Sequence, residues 1–404
     1  MTPHHGSRGP MLTFARLLFA YLFSQFFRSF VSIIAADLTR DLGFGPAELG
    51  WISSAWFAAF ALAQFPIGYL LDTVGPRRTM ASLMLAGVAG GLLFALSNSF
   101  AVSLLAMALI GIGCSPVLMA GLYIFGRTAA PERFAMLASL LVGLGNIGNL
   151  VAATPLAYAA ETIGWRVSMA AVGMSMAVAA LLTFLFLSDP PKVERREGKT
   201  SMLGDVLTIM RMRALWFVFP IHVFSYAAVA TERGLWIGPF LESVHGVEAI
   251  ARGNIAFAMS VGMALGALAC GPVARLMDEA KKPAVIANFV TLGLFLMLGF
   301  LTAMPVTLIA MVLTGIGFFG LSYSLLLSHG RPFFPDHLLG RGVTFLNFLA
   351  IGGAGLMQAV TGNVMKGLLT SGTTPAEAYA VIHTGIGLAI LLALLLFLRA
   401  PVKP

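Results

Sequence analysis

Apolar stretches long enough to cross a lipid bilayer recur from one end of this chain to the other, and no other feature restricts its fold so tightly. They cover residues 12–36, 47–71, 80–97, 101–125, 134–158 and 167–187, then 214–241, 251–273, 284–303, 306–328, 342–369 and 378–398. A helical crossing takes about 20 such residues, so the runs predict an all-α membrane protein of twelve transmembrane helices. Helices satisfy every backbone N–H and C=O internally, as lipid demands. Composition agrees, since 58% of the 404 residues are apolar and 10% charged, against about 25% charged in an ordinary soluble domain.

The net charge of +8 could suggest a nucleic-acid partner, but its distribution argues for topology. With the N-terminus in the cytoplasm, 19 of the 25 Lys and Arg fall on the cytoplasmic side, four (Arg40, Arg166, Arg252, Lys366) fall outside, and Arg28 and Arg233 lie within spans. That is the positive-inside pattern. The lipid bilayer is the implied partner, no nucleic acid is, and both termini are expected in the cytoplasm. The first apolar run is too long for a signal-peptide core and lacks a small-residue cleavage site, so it reads as a retained span. Short loops and the lack of an N-x-[ST] sequon suit a bacterial inner membrane. Cys114 and Cys270 sit in different spans and read as packing residues, with no CxxC or metal-ligand spacing, so neither metal nor cofactor is expected.

The chain is also written twice. Residues 106–113 read AMALIGIG and residues 310–317 read AMVLTGIG, six of eight identical at an offset of 204. The same offset pairs Gly126-Arg127 with Gly330-Arg331, and an offset of 203 pairs Gly68–Asp72 with Gly271–Arg275. Two six-helix halves in the same membrane orientation follow, residues 1–187 and 214–404, joined by a charged, Pro-containing linker at 188–213.

The loop after the second span reads GYLLDTVGPRR, Gly68 to Arg78. With its spacing G-x-x-x-D-x-x-G-x-[RK]-[RK], it resembles the signature of the major facilitator superfamily. The resemblance implies two pseudo-symmetric bundles that rock about a central solute site. It implies gating roles for Gly68, which permits close helix contact, and for Asp72, which meets the positive end of the eleventh helix near Gly342. Gly75, Arg77 and Arg78 in this loop, with Arg127, Arg133, Arg331 and Arg341 at corresponding cytoplasmic positions, complete the gating set. The later copy, GPVARLMDEAKK, has Arg275 where the acid would be, and Met107 stands where many proton-driven members carry Arg.

Charge inside the membrane is costly, about 2.5–3.5 kcal/mol per ion at mid-depth. Arg28 in the first span and Glu232 and Arg233 in the seventh therefore need a purpose. By repeat offset Arg28 corresponds to Thr231, two residues from Arg233, so the two guanidiniums lie at similar depth. Facing each other they form a forked clamp for a carboxylate or phosphate, an arrangement that resembles the organic-anion and organophosphate branches of the superfamily. The plain alternative is a structural Arg28–Glu232 bridge between halves. Glu232, the one carboxylate deep in a span, is the candidate for proton coupling. Asp37 reads as a loop-edge acid, and His222, His329 and His383 as packed or interfacial histidines that could relay protons.

In the superfamily helices one, four, seven and ten line the cavity, which implies solute contacts from Tyr21, Gln25, Tyr123, Tyr226 and Tyr323. Asn347 and Gln358 on the eleventh helix join them or bond neighbouring helices. Asn146 and Asn149 read as helix-five packing. No HExxH, GxSxG or paired intramembrane aspartates point to an enzyme. A monomeric secondary transporter of a small organic anion is expected, proton-coupled or exchanging; the alternative is an exporter of drug-like or metabolic compounds.

Overall fold

The computed structural model describes residues 8–190, 202–301, 304–335 and 338–401, so residues 191–201 of the expected linker lie outside the described residues. The span α1 is a bent pair, Met11–Phe26 and Val31–Leu42, meeting at 49°. Eleven further helices are long and apolar enough to cross a membrane. They are α2 (Pro46–Thr73), α3 (Pro76–Leu96), α4 (Phe100–Thr128), α5 (Met136–Ile163), α6 (Trp165–Phe186), α7 (Leu215–Ser243), α8 (Ala249–Leu276), α9 (Lys281–Phe300), α10 (Val306–Phe333), α11 (Arg341–Thr370) and α12 (Pro375–Leu398). With the bent pair counted as one span, twelve crossings put the first and last described residues, Arg8 and Pro401, at one end of the molecule.

Local chemistry sets the ends of these helices. Proline opens α2, α3 and α12, where its missing N–H costs nothing. Thr374 and Glu377 form a reciprocal capping box on α12. Gly75 sits at φ +98°, and a Cβ there would lie 2.9 Å from the Asp189 carboxyl group, which accepts the Arg77 backbone N–H at 2.8 Å. This explains why the loop after α2 needs glycine at that position. Large exposed apolar side chains such as Leu85, Met174, Leu276 and Leu392 cover the outside, as lipid contact requires.

The sequence repeat has a packing cause. A Cβ on Gly111 would meet the Trp56 carbonyl of α2, and one on Gly113 would meet Gly87 of α3. In the second copy Gly317 lies against Met259 of α8 and Gly315 against Leu294 of α9. In each bundle the fourth helix thus nests between the second and third, and the glycines permit it.

Five helices between the bundles are interrupted. α1 breaks at residues 27–30, α4 at Ser115, α5 at Asn146 and at Ala152–Ala153, α7 in a π turn at Glu232–Trp236, and α10 at Leu321–Ser322. Irregular backbone at membrane depth is tolerated where it faces protein or a cavity rather than lipid. Beyond these breaks, at the end away from the termini, the bundles touch backbone to backbone. A Cβ on Gly238 of α7 would overlap the Ser32 carbonyl, one on Gly362 would lie 2.7 Å from the Pro46 carbonyl, and one on Gly253 would lie 3.0 Å from Thr154 Cα. Thr154 Oγ1 also donates to Asn254 at 2.8 Å, and Lys366 pairs with Glu48 at 3.4 Å, both across the seam.

Candidate binding cavity between the bundles

Below the sealed end lies a cavity of about 210 Å³, bounded by both bundles. Tyr21, Gln25 and Arg28 enter it from α1, Tyr226 and Arg233 from α7, Tyr323 from α10 and Asn347 from α11. Phe60, Leu118, Met119, Met263 and Ile351 supply greasy wall. The volume suits a small solute, and the mix of apolar wall with a few convergent polar groups is that of a small-molecule site.

Arg28 stands at the break in α1, where the chain leaves the helical ladder between Phe26 and Val31. It is only partly buried, and its guanidinium donates to the Tyr226 hydroxyl at 2.8 Å. The rings of Trp56 and Phe60 lie 5.3 and 5.5 Å from its central carbon, a cation–π shelf. Its Nε has no partner among the described residues. A polar chain continues along the wall: Gln25 donates to Tyr21 at 2.7 Å, the Tyr226 and Tyr323 rings meet edge to face at 6.1 Å, and Tyr323 donates to Asn347 at 3.1 Å.

Arg233 has the opposite surroundings. It is 1% exposed, and five hydrogen bonds occupy its guanidinium. Nε donates to Ser260 Oγ at 2.8 Å, one terminal nitrogen to the Ser29 carbonyl and Ser32 Oγ at 3.2 and 3.4 Å, and the other to the Asn149 and Ala152 carbonyls at 2.9 and 3.4 Å. An arginine has five N–H donors, so all are engaged. The side chain fastens α7 and α8 to α1 and α5 and forms the cavity roof. The expected two-arginine clamp therefore has one free jaw, Arg28. The physical reason is the two-residue slip from Thr231, which rotates a helical side chain by about 200°.

Glu232 does not bridge to Arg28. Its Oε2 lies 3.2 Å from Nε2 of His383 on α12, inside the second bundle, with both residues at 0% exposure. Sequence reasoning named His383 but left it unpaired, because 151 residues separate the partners. Two proposed solute contacts also lie elsewhere. Tyr123 carries the Arg127 guanidinium 4.7 Å from its ring, and Gln358 donates to the Ala230 carbonyl at 3.3 Å as a buried inter-helix bond. His222 packs 5.1 Å from the Tyr323 ring behind the cavity wall, fully buried. Asn149, read from sequence as packing, both lines the cavity and holds Arg233 through its carbonyl.

The residues expected to gate gather at the termini end. Asp72 pairs with Arg127 of its own bundle at 3.7 Å, and Arg77 lies 5.2 Å from the Phe184 ring. Arg78, Arg133, Arg331 and Arg341 are exposed there. Gly68 departs from its expected role, since a Cβ there would meet nothing within 4 Å and no close helix contact depends on it in this conformation.

Residues 17–357 match the profile of the Major Facilitator Superfamily. NiaP of Bacillus subtilis (strain 168), named for niacin/nicotinamide transport, is 24% identical over 92% of this chain and 91% of its own length. The nitrate/nitrite transporter NrtP of Picosynechococcus is 24% identical over 49% of this chain and 43% of its own. Among solved structures, a mutant of the nucleoside transporter NupG superposes with a TM-score of 0.79 at 14% identity, covering 96% of this chain and all of the other.

Proposed function

The chain belongs to the major facilitator superfamily, and from that premise we propose that it carries a small organic anion across the membrane by alternating access. One observation carries the choice of an anion. Arg28 is a permanently charged side chain at the cavity wall with donor capacity left over, while Arg233 has none. A carboxylate is the complement of that fork. The surrounding Phe60, Met119, Met263 and Ile351 favour an apolar body behind the charge. A monocarboxylate with a compact, flat or aliphatic body fits better than a dianionic phosphate ester, which asks for a second free cation. Nitrate, in the name of one relative, is an anion, and niacin, one of the two compounds in the name of the other, is a carboxylate, which supports the same charge; nicotinamide, the second compound, is neutral.

With the termini in the cytoplasm, the sealed end faces outward and the cavity is inward-facing. Rocking of residues 1–187 against 214–404, with 188–213 as the flexible joint, exposes Arg28 to each side in turn. At the termini end Gly75, Asp72, Arg77, Arg78, Arg127, Arg133, Arg331 and Arg341 secure the alternate state. The protein works as a monomer in a bacterial inner membrane, coupled to protons or exchanging one anion for another.

A thermal-stabilisation panel in detergent tests the reading. Nicotinate and benzoate are expected to raise the melting temperature, with nicotinamide and uridine having little effect. Stabilisation by the neutral compounds alone would instead favour the exporter alternative, in which apolar bulk rather than charge selects the cargo.

A further inference from the structure

One π turn borders both the cavity and the opposite end of the molecule. Arg233 and Gly234 of that turn face the cavity, whereas Trp236 faces a second space of about 370 Å³ at the far end. This far vestibule is also lined by Ala36, Arg40, Glu242, Ser243 and Tyr379. The Tyr379 ring stacks on His383 at 5.9 Å, and Phe240 closes edge-on at 4.9 Å. Tyr379 therefore touches both the vestibule and the Glu232–His383 pair.

The pair is chemically incomplete. Glu232 Oε2 faces His383 Nε2, but Glu232 Oε1 and His383 Nδ1 have no hydrogen-bond partner among the described residues, although both residues are fully buried. A buried carboxylate oxygen without a donor costs on the order of 1–3 kcal/mol, and interiors seldom leave such atoms alone without a functional reason. A π turn in an otherwise regular helix is a frequent mark of function. Few other charges face the pair. Arg233 is next in the chain, with its donors turned to α1, α5 and α8. Tyr379 lies against His383, and Glu242 and His245 stand further out toward the vestibule. α9 presents the Phe295 ring to His383, and Gln358 and Thr361 of α11 lie against Gly234 and Trp236 of the same π turn, none of them ionisable.

We infer that Glu232 and His383 form a proton-binding site filled from the far vestibule past Tyr379, not from the Arg28 cavity. One proton is held between Glu232 Oε2 and His383 Nε2. A second, delivered by hydronium in the vestibule, forms an O–H bond at Glu232 Oε1 or an N–H bond at His383 Nδ1 and leaves water behind. The added positive charge adjoins Arg233, the residue that fastens the bundles at their roof, so occupancy of the pair and closure of the seam are linked through one peptide unit. Where the transported solute is a monoanion, one proton per turnover makes the cycle electroneutral; this last step rests on the anion-carrier reading, while the proton site itself does not.

Two measurements separate those claims. Infrared difference spectroscopy of the detergent-solubilised protein between about pH 5 and 9, the window in which histidine-linked groups exchange protons, needs no solute. A protonated-carboxyl band should titrate in wild type, vanish in Glu232→Gln and shift its midpoint in His383→Gln. Absence of any band that depends on Glu232, or a midpoint indifferent to His383, overturns the site. In proteoliposomes, a gradient of about one pH unit should drive at most about tenfold nicotinate accumulation over protein-free vesicles, because an electroneutral cycle equates the two ratios. Glu232→Gln should abolish accumulation yet keep nicotinate counterflow, which also reports that the variant is folded. Retained pH-driven accumulation in that variant contradicts the coupling role. A titrating band with no anion transported leaves the proton site standing and removes the anion reading alone.

Discussion

Arg28 and Arg233 sit on facing helices at similar depth, yet one looks into space and the other is enclosed. Around Arg28 the backbone is broken, the neighbours are aromatic rings and hydroxyls, and donor capacity remains. Around Arg233 three carbonyls and two serine hydroxyls take up the whole guanidinium. On the proposed reading the same residue type serves recognition in one place, while in the other it holds helices together. Burial depth says only that a charge needs a reason; the partner set says which reason.

That contrast can be broken by substitution. The largest effect is expected from Arg233→Ala, which strips the donor from five acceptors at once and should cost roughly 3–5 kcal/mol, the range for removing one side of a buried charge network. It would be read as a markedly lower melting temperature, with Arg233→Lys rescuing little because an ammonium cannot reach the same fork. Gly238→Ala comes next. The new methyl group meets the Ser32 carbonyl, and overpacking of about 1–3 kcal/mol should bias the protein against the sealed far end. Faster thiol labelling of a Ser243→Cys probe in the vestibule checks this. Tyr226→Phe removes one hydrogen bond from Arg28 and should change anion affinity by about 2- to 13-fold, about 0.5–1.5 kcal/mol, without altering thermal stability. The smallest effect belongs to Lys366→Ala, since an exposed pair with Glu48 is worth about 0–1 kcal/mol; the labelling rate of the same probe should barely move.

Much of this organisation was legible in the sequence. The apolar runs located the spans because lipid leaves a helix no alternative, and the AMALIGIG/AMVLTGIG pair exposed the duplication because its glycines do the same packing job twice. Tyr21, Gln25, Arg28, Tyr226 and Tyr323, from helices one, seven and ten, line one cavity, and so does Asn347 of helix eleven, which the sequence left open between cavity and helix contact. What escaped is what depends on helix rotation. Arg233 points to the seam through its two-residue slip and the π turn, which no periodicity rule supplies. Gln358 and Tyr123 are polar residues in spans, but they face helix contacts and the Arg127 side chain rather than the cavity. The Glu232–His383 pair joins α7 to α12 across 151 residues, a distance that a single sequence cannot bridge.

The most direct test of the division between the two arginines is calorimetric titration of nicotinate into wild type and into Arg28→Ala and Arg28→Lys. A charge-assisted contact of about 1.5–3 kcal/mol predicts roughly 10- to 150-fold weaker binding in Arg28→Ala at an unchanged melting temperature, with Arg28→Lys intermediate. Equal affinity in all three proteins would show that the cavity selects its cargo without Arg28 and would contradict the account.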